Sequence, residues 1–261
     1  LDDRCLLSTF NWVGPSGGDF NTPANWLDQN NNAGVPGPSD NATIPGGVTV
    51  KVTQADTINA LTSFSSGALD GALDVVAGAT FAMNNVGQHS DLSNFVLENG
   101  GTLQVKGGST ILDGGTLAGT VNVAANGTLV FGHDSITLNT GVSLNGTGQY
   151  LVGIDSFSPM VTLNTAVTAP ANFTLQNGTL NGAGTLTIAG TFNWVTGGND
   201  SATMGGSGTT AVQAGATLNV GGSNIRALDT RTLTNAGTIN VTGAADFDLL
   251  NGATLHNLTG G

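Results

Sequence analysis

A five-residue phrase recurs along the chain: Gly, Thr, a large apolar residue, any residue, another large apolar residue. It is clearest at Gly184-Thr185-Leu186-Thr187-Ile188, which runs into Gly190-Thr191-Phe192-Asn193-Trp194. It returns at Gly119–Val123, Gly127–Phe131 and Gly237–Val241, with close variants at Thr80–Met83, Thr102–Val105 and Thr217–Val220. Two apolar residues one position apart define a short strand with one face inward, because successive side chains of a strand point to opposite sides. Glycine before the strand marks a corner, since it tolerates the dihedrals of a tight bend.

The spacing of the phrase fixes the architecture. Threonines fall at 80, 102, 120, 128, 185, 191, 217 and 238. Steps of 6 and 8 are one strand plus one corner; steps of 21 and 22 are three such units. The expected fold is all-β: a single-stranded, right-handed parallel β-helix (β-solenoid) with three short strands per coil and about 21 residues per coil. About ten coils are expected between residues 47 and 261.

Composition agrees. Glycine supplies 41 of 261 residues, well above the usual ~7%. Charged residues are 8% and hydrophobic residues 39%, so the chain can fill a core and does not match the profile of a disordered tract. No stretch keeps helical periodicity. The formal charge is −12, and the five basic residues are scattered. That argues against nucleic acid as a partner, because phosphate binding needs clustered Lys and Arg. No apolar run approaches the ~20 residues of a membrane-spanning helix, so no membrane insertion is expected.

Three segments follow. Residues 1–10 precede the repeats as an N-terminal arm, with an apolar group at Leu6, Leu7 and Phe10 beside the single cysteine, Cys5; the arm is expected to pack on the first coil as a strand or tail, with pairing to a neighbouring molecule as the sharper alternative. Residues 11–46 hold two of the three tryptophans, Trp12 and Trp26, and four of the seven prolines. They are expected to cap the solenoid: aromatic rings cover the first core layer, and an irregular loop blocks strand addition. Residues 47–261 are the solenoid, and the phrase persists through Leu255 and Leu258 with no polar closing element. The C-terminal end is therefore expected to be open, either because the chain is a piece of something longer or because this end meets another molecule. Residues 150–160, with the lone Tyr150, and residues 197–208 are expected to bulge from the shaft.

Two resemblances bear on origin. Leu1, Asp2 or Asp3, Arg4, Leu6, Leu7 and Ser8 resemble the signature near the start of many large secreted and surface proteins of planctomycete bacteria. The arrangement Trp12, Gly14, Gly17, Asn25-Trp26, Pro36, Asp40, Ala42 and Ile44 is similar to the segment opening many bacterial surface β-helices, autotransporter-like passengers among them. Both resemblances imply a secreted, extracellular or cell-surface protein.

The chemistry-bearing residues are sparse. Most aspartates stand alone in turns; Asp2-Asp3 and Asp246-x-Asp248 are close pairs. His89, His133 and His256 fall in different coils. No catalytic cluster, metal site or cofactor site is expected from these spacings, and the chain reads as a non-enzyme. The leading expectation is a structural shaft that stacks head to tail on copies of itself. Cys5, Leu6, Leu7 and Phe10 would meet Leu255 and Leu258 of a neighbour. The alternatives are an adhesin binding surface glycans and, third, a polysaccharide lyase or hydrolase.

Overall fold

The structure, a computed structural model, describes residues 8–63, 70–154, 158–196, 201–243 and 246–261. The chain is a parallel β-solenoid of about nine turns, with roughly 22 residues per coil. The threonine spacing therefore predicts the fold and nearly the mean period, and it overcounts the coils by about one. The step itself varies. Leu97 lies on Leu117, Leu117 on Leu138 and Leu138 on Leu163, which are steps of 20, 21 and 25 residues. Val161 on Leu180 is a step of 19, and Leu180 on Met204 a step of 24. Backbone hydrogen bonds hold the strands in register, so length differences are absorbed at the corners, where loop length costs little.

Each coil has three sides. Gly127–Phe131 lies on the first, Ser135–Leu138 on the second and Ser143–Gly146 on the third. Two strands, His89–Leu97 and Gly108–Leu117, run from the first side to the second without a break. They join those sides into one 21-stranded sheet. The bend in the second of these strands depends on Gly115. Its φ is +126°, and a Cβ there would sit 2.0 Å from the carbonyl oxygen of Phe95. Only glycine fits so close an approach.

The third side is two five-stranded sheets. One ends at Ser143–Gly146; the other begins at Val167–Ala169. The 25-residue step falls at this break.

Alternation within each strand builds the core. On the first side, Leu129, Tyr150, Phe173, Phe192 and Leu218 stack in one buried column. Tyr150 and Phe173 are near-parallel with ring centroids 6.0 Å apart, and Phe173 and Phe192 are 5.1 Å apart. Such offset stacks add to simple burial. Tyr150 is thus a core residue. The bulge expected over 150–160 is absent as far as Ile154, and residues 155–157 lie outside the described set. Ala202–Met204 is likewise a regular strand, while residues 197–200 lie outside it. The sequence blurs the period in this region because the step lengthens, not because strands are missing.

The N-terminal end is closed. Trp12 and Trp26 meet edge to face at 4.9 Å, and Phe20 meets Trp26 at 5.1 Å and Phe81 at 5.4 Å. Trp26 Nε1 donates to the carbonyl of Phe20 at 2.7 Å, so the ring is buried with its polar atom satisfied. Strand Thr9–Trp12 pairs antiparallel with Trp26–Leu27 and parallel with Asn41–Thr43. Phe10 therefore belongs to the first rung, in register with Ala42 and packed against the core, as expected of a strand that packs on the first coil. Asn41–Thr43 pairs onward with Ala60–Thr62, so regular coils begin a few residues before 47.

Candidate functional site

Three features stand out: a carboxyl pair at one corner, the rung at residues 238–257, and ladders of asparagine and threonine on the outer faces.

The carboxyl pair joins two coils. Asp91 lies mid-strand in His89–Leu97, facing outward, and Asp113 lies in Gly108–Leu117 opposite Ser93. His133 follows the next first-side strand, Gly127–Phe131. Its backbone N–H donates to Asp113 Oδ1 at 3.0 Å, and its Nδ1 lies 2.6 Å from the same oxygen. Gly132 makes this possible: a Cβ there would stand 2.4 Å from Asp113 Oδ1. The Asp113 side chain is only 3% exposed, and that of His133 is 29% exposed.

Asp91 and Asp113 lie on neighbouring, paired strands. Asp91 Oδ1 and Asp113 Oδ2 are buried, and neither meets an N–H or O–H donor among the described residues. Burial, then the bond to Asp113 and its charge, push the Asp91 carboxyl up to about 7; His133 pulls the other way and Asp70 adds to the rise. Two carboxylates held together cannot both ionise freely.

Sequence reasoning treats Asp113 and His133 as isolated residues and passes over Asp91. The signal lies in their spacing: 22 residues from Asp91 to Asp113 and 20 to His133, one coil each. A convergent cluster is the mark the hydrolase reading requires; here the contact on the page is between one aspartate and one histidine, Asp113 and His133. No group of three or more His, Cys, Asp or Glu able to hold a metal ion occurs among the described residues.

The rung at residues 238–257 differs from those above it. Ile239, Val241, Leu249 and Leu255 lie in register on Leu218, Val220, Leu228 and Leu233, which are all buried. Yet Val241 is 58% exposed, Leu249 50% and Leu255 45%, with Leu258 at 49%. With Phe247 and Ile239 some of them line a hollow of about 550 Å³. Of the residues expected to serve assembly, Leu255 and Leu258 are thus exposed here, Phe10 is built into the first rung, and Cys5, Leu6 and Leu7 lie outside the described residues.

Outer faces carry satisfied amide ladders. Asn219 Nδ2 donates to Asn193 at 3.0 Å and Asn240 Nδ2 to Asn219 at 3.1 Å. Thr191, Thr217 and Thr238 form the adjacent column. His89 and His256 lie on other strands, His256 in register with Thr234. Trp12 and Trp26 are buried and offer no open ring face to a sugar.

No family model, no curated protein and no solved structure matches the chain. What defines its class is therefore its own geometry, that of a β-solenoid built from degenerate three-strand coils. No helix of the described residues is long and apolar enough to cross a membrane.

Proposed function

We propose that the chain is a structural shaft of the bacterial exterior, and that copies of it stack head to tail into a fibre. The rung at 238–257 carries this reading. Its exposed Val241, Leu249 and Leu255 continue columns that the rungs above it bury, and Leu258 is likewise exposed. Apolar surface of that kind is stabilised by cover, at about 25 cal/mol per Å². A neighbour's segment with Cys5, Leu6 and Leu7 would supply the cover by strand addition. A head-to-tail contact that does not close gives a filament. The sparse charge and the amide ladders suit a protein whose task is mechanical, and the resemblances at Leu1–Ser8 and Trp12–Ile44 support export to the surface.

Electron microscopy of the purified chain over a concentration series tests this. Rods joined end to end are expected, and Leu255→Lys with Leu258→Lys should leave single rods. Single rods from the unmodified chain at the highest concentration would overturn the reading.

A second reading, a surface module that binds glycans, rests on the exposed Thr and Asn columns of the outer faces. Retention of defined polysaccharides on a glycan array distinguishes it from a shaft that binds none.

A further inference from the structure

We propose that Asn251-Gly252 is a self-modifying site, where the asparagine converts to aspartate or isoaspartate with no enzyme and so loosens the terminal rung. Asn-Gly steps recur along the chain, and their surroundings set them apart. Asn251 and Gly252 are both exposed. They form the tip of a turn closed by the Ala253 N–H, which donates to the Leu250 carbonyl at 2.9 Å. The Gly252 N–H itself meets no acceptor among the described residues. A Cβ on Gly252 would meet nothing within 4 Å, so the peptide lies open to water. At Asn126-Gly127, by contrast, the glycine N–H donates to the Ala124 carbonyl at 2.8 Å. At Asn177-Gly178 it donates to the Ser201 carbonyl at 3.0 Å, and Asn177 is 1% exposed.

The chemistry needs only water. Solvent base takes the Gly252 amide proton, and the nitrogen attacks Cγ of Asn251. The new N–Cγ bond closes a cyclic imide; the Cγ–Nδ2 bond breaks, and Nδ2 leaves as ammonia with a proton from water. A second water opens the imide at either carbonyl, giving aspartate or isoaspartate. Glycine suits the attack because it has no side chain to shield the nitrogen and its backbone turns freely. A nitrogen that is already hydrogen-bonded must first give up that bond.

The position gives the conversion its effect. Asn251 Nδ2 donates to Asp229 Oδ1 on the preceding rung at 2.8 Å. A carboxylate in its place is an acceptor only, so two like charges face each other across the rungs. Isoaspartate also inserts a methylene into the backbone and upsets the turn from Leu250 to Ala253. The strands on either side have no second partner to hold them: Phe247–Leu250 pairs with Arg226–Asp229 alone, and Thr254–Asn257 with Thr232–Asn235 alone. Asn99-Gly100 is similarly exposed, but it lies where coils continue on both sides. That the change would age a stacking end rests on the proposed stacking; the conversion itself does not.

The experiment is peptide mapping by mass spectrometry of the full chain, held folded in mildly alkaline buffer, beside the same chain unfolded in urea. In the folded chain Asn251 should convert, and Asn126 and Asn177 should convert at least about tenfold more slowly, because they wait on local opening. In urea all three should convert. An intact Asn251 in the folded chain, or equal conversion at all three, would overturn the proposal. Asn251→Asp supplies the charge at once, in a residue that accepts the same backbone. Its first thermal transition should fall by about 2–4 °C, and an unchanged transition would overturn the loosening. Neither readout depends on rods joining, so a failure of stacking is seen separately, by microscopy.

Discussion

Arg231 Nη2 donates to the carbonyl oxygen of Gly184, 2.8 Å away and 47 residues earlier. The same side chain donates to Gly182 and Gly205 through Nη1 and to the Thr210 hydroxyl through Nε at 2.8 Å. It is 1% exposed. One guanidinium thus satisfies corner carbonyls from two preceding coils, using the fixed fork of donors that distinguishes Arg from Lys. Burial lowers its pKa to about 10, so it stays charged at neutral pH and depends on those carbonyls for solvation.

Arg231→Met should cost about 3–5 kcal/mol, because it strands several buried acceptors at once. Arg231→Lys should recover only part, since an ammonium cannot reach all of them. Denaturant unfolding checks both. An Arg231→Met protein as stable as the original would mean that water replaces the guanidinium.

Tyr150 separates two contributions. Its hydroxyl donates to the carbonyl of Asn145 at 2.7 Å, and its ring heads the aromatic column above Phe173. Tyr150→Phe should cost about 1 kcal/mol; Tyr150→Ala should cost about 3–5 kcal/mol. Paired unfolding curves give the difference.

Gly115→Ala tests the bend that joins the first two sides. The added methyl meets the Phe95 backbone, so the strand must straighten or shift. A loss of more than about 2 kcal/mol is expected, together with faster hydrogen exchange at the Phe95 and Thr116 amides.

All three tryptophans are buried. Emission should therefore be blue-shifted and unmoved by added oligosaccharides, as fluorescence titration will show. Trp26→Ala should open the closed end and cost about 3–5 kcal/mol.

Much of this fold is legible in the sequence because a solenoid writes its period into the chain. Each Gly-Thr-apolar-x-apolar phrase is one side, and the alternation puts Leu103, Val121 and Leu144 in one column without further information. Corners are less legible. Asn and Gly occur at tight and relaxed bends alike, so the 25-residue step after Leu138 looks like lost pattern. The Asp91–Asp113–His133 corner is hidden for a different reason. Its members are one coil apart, and only an exact register brings His133 onto Asp113. The sequence reads Phe10 as part of a strand or tail packed on the first coil; its partner, Ala42, lies across the whole cap and is not legible there.

The break in the third side between Ser143–Gly146 and Val167–Ala169 has a mechanical meaning. In the coils before and after it three sides carry tension from rung to rung; at this level only two do. Pulled along its length, the rod should part there first, yielding two sturdy blocks joined by a crease. Bent, it should fold toward the two intact sides, which gives an otherwise uniform strut one preferred direction of flex.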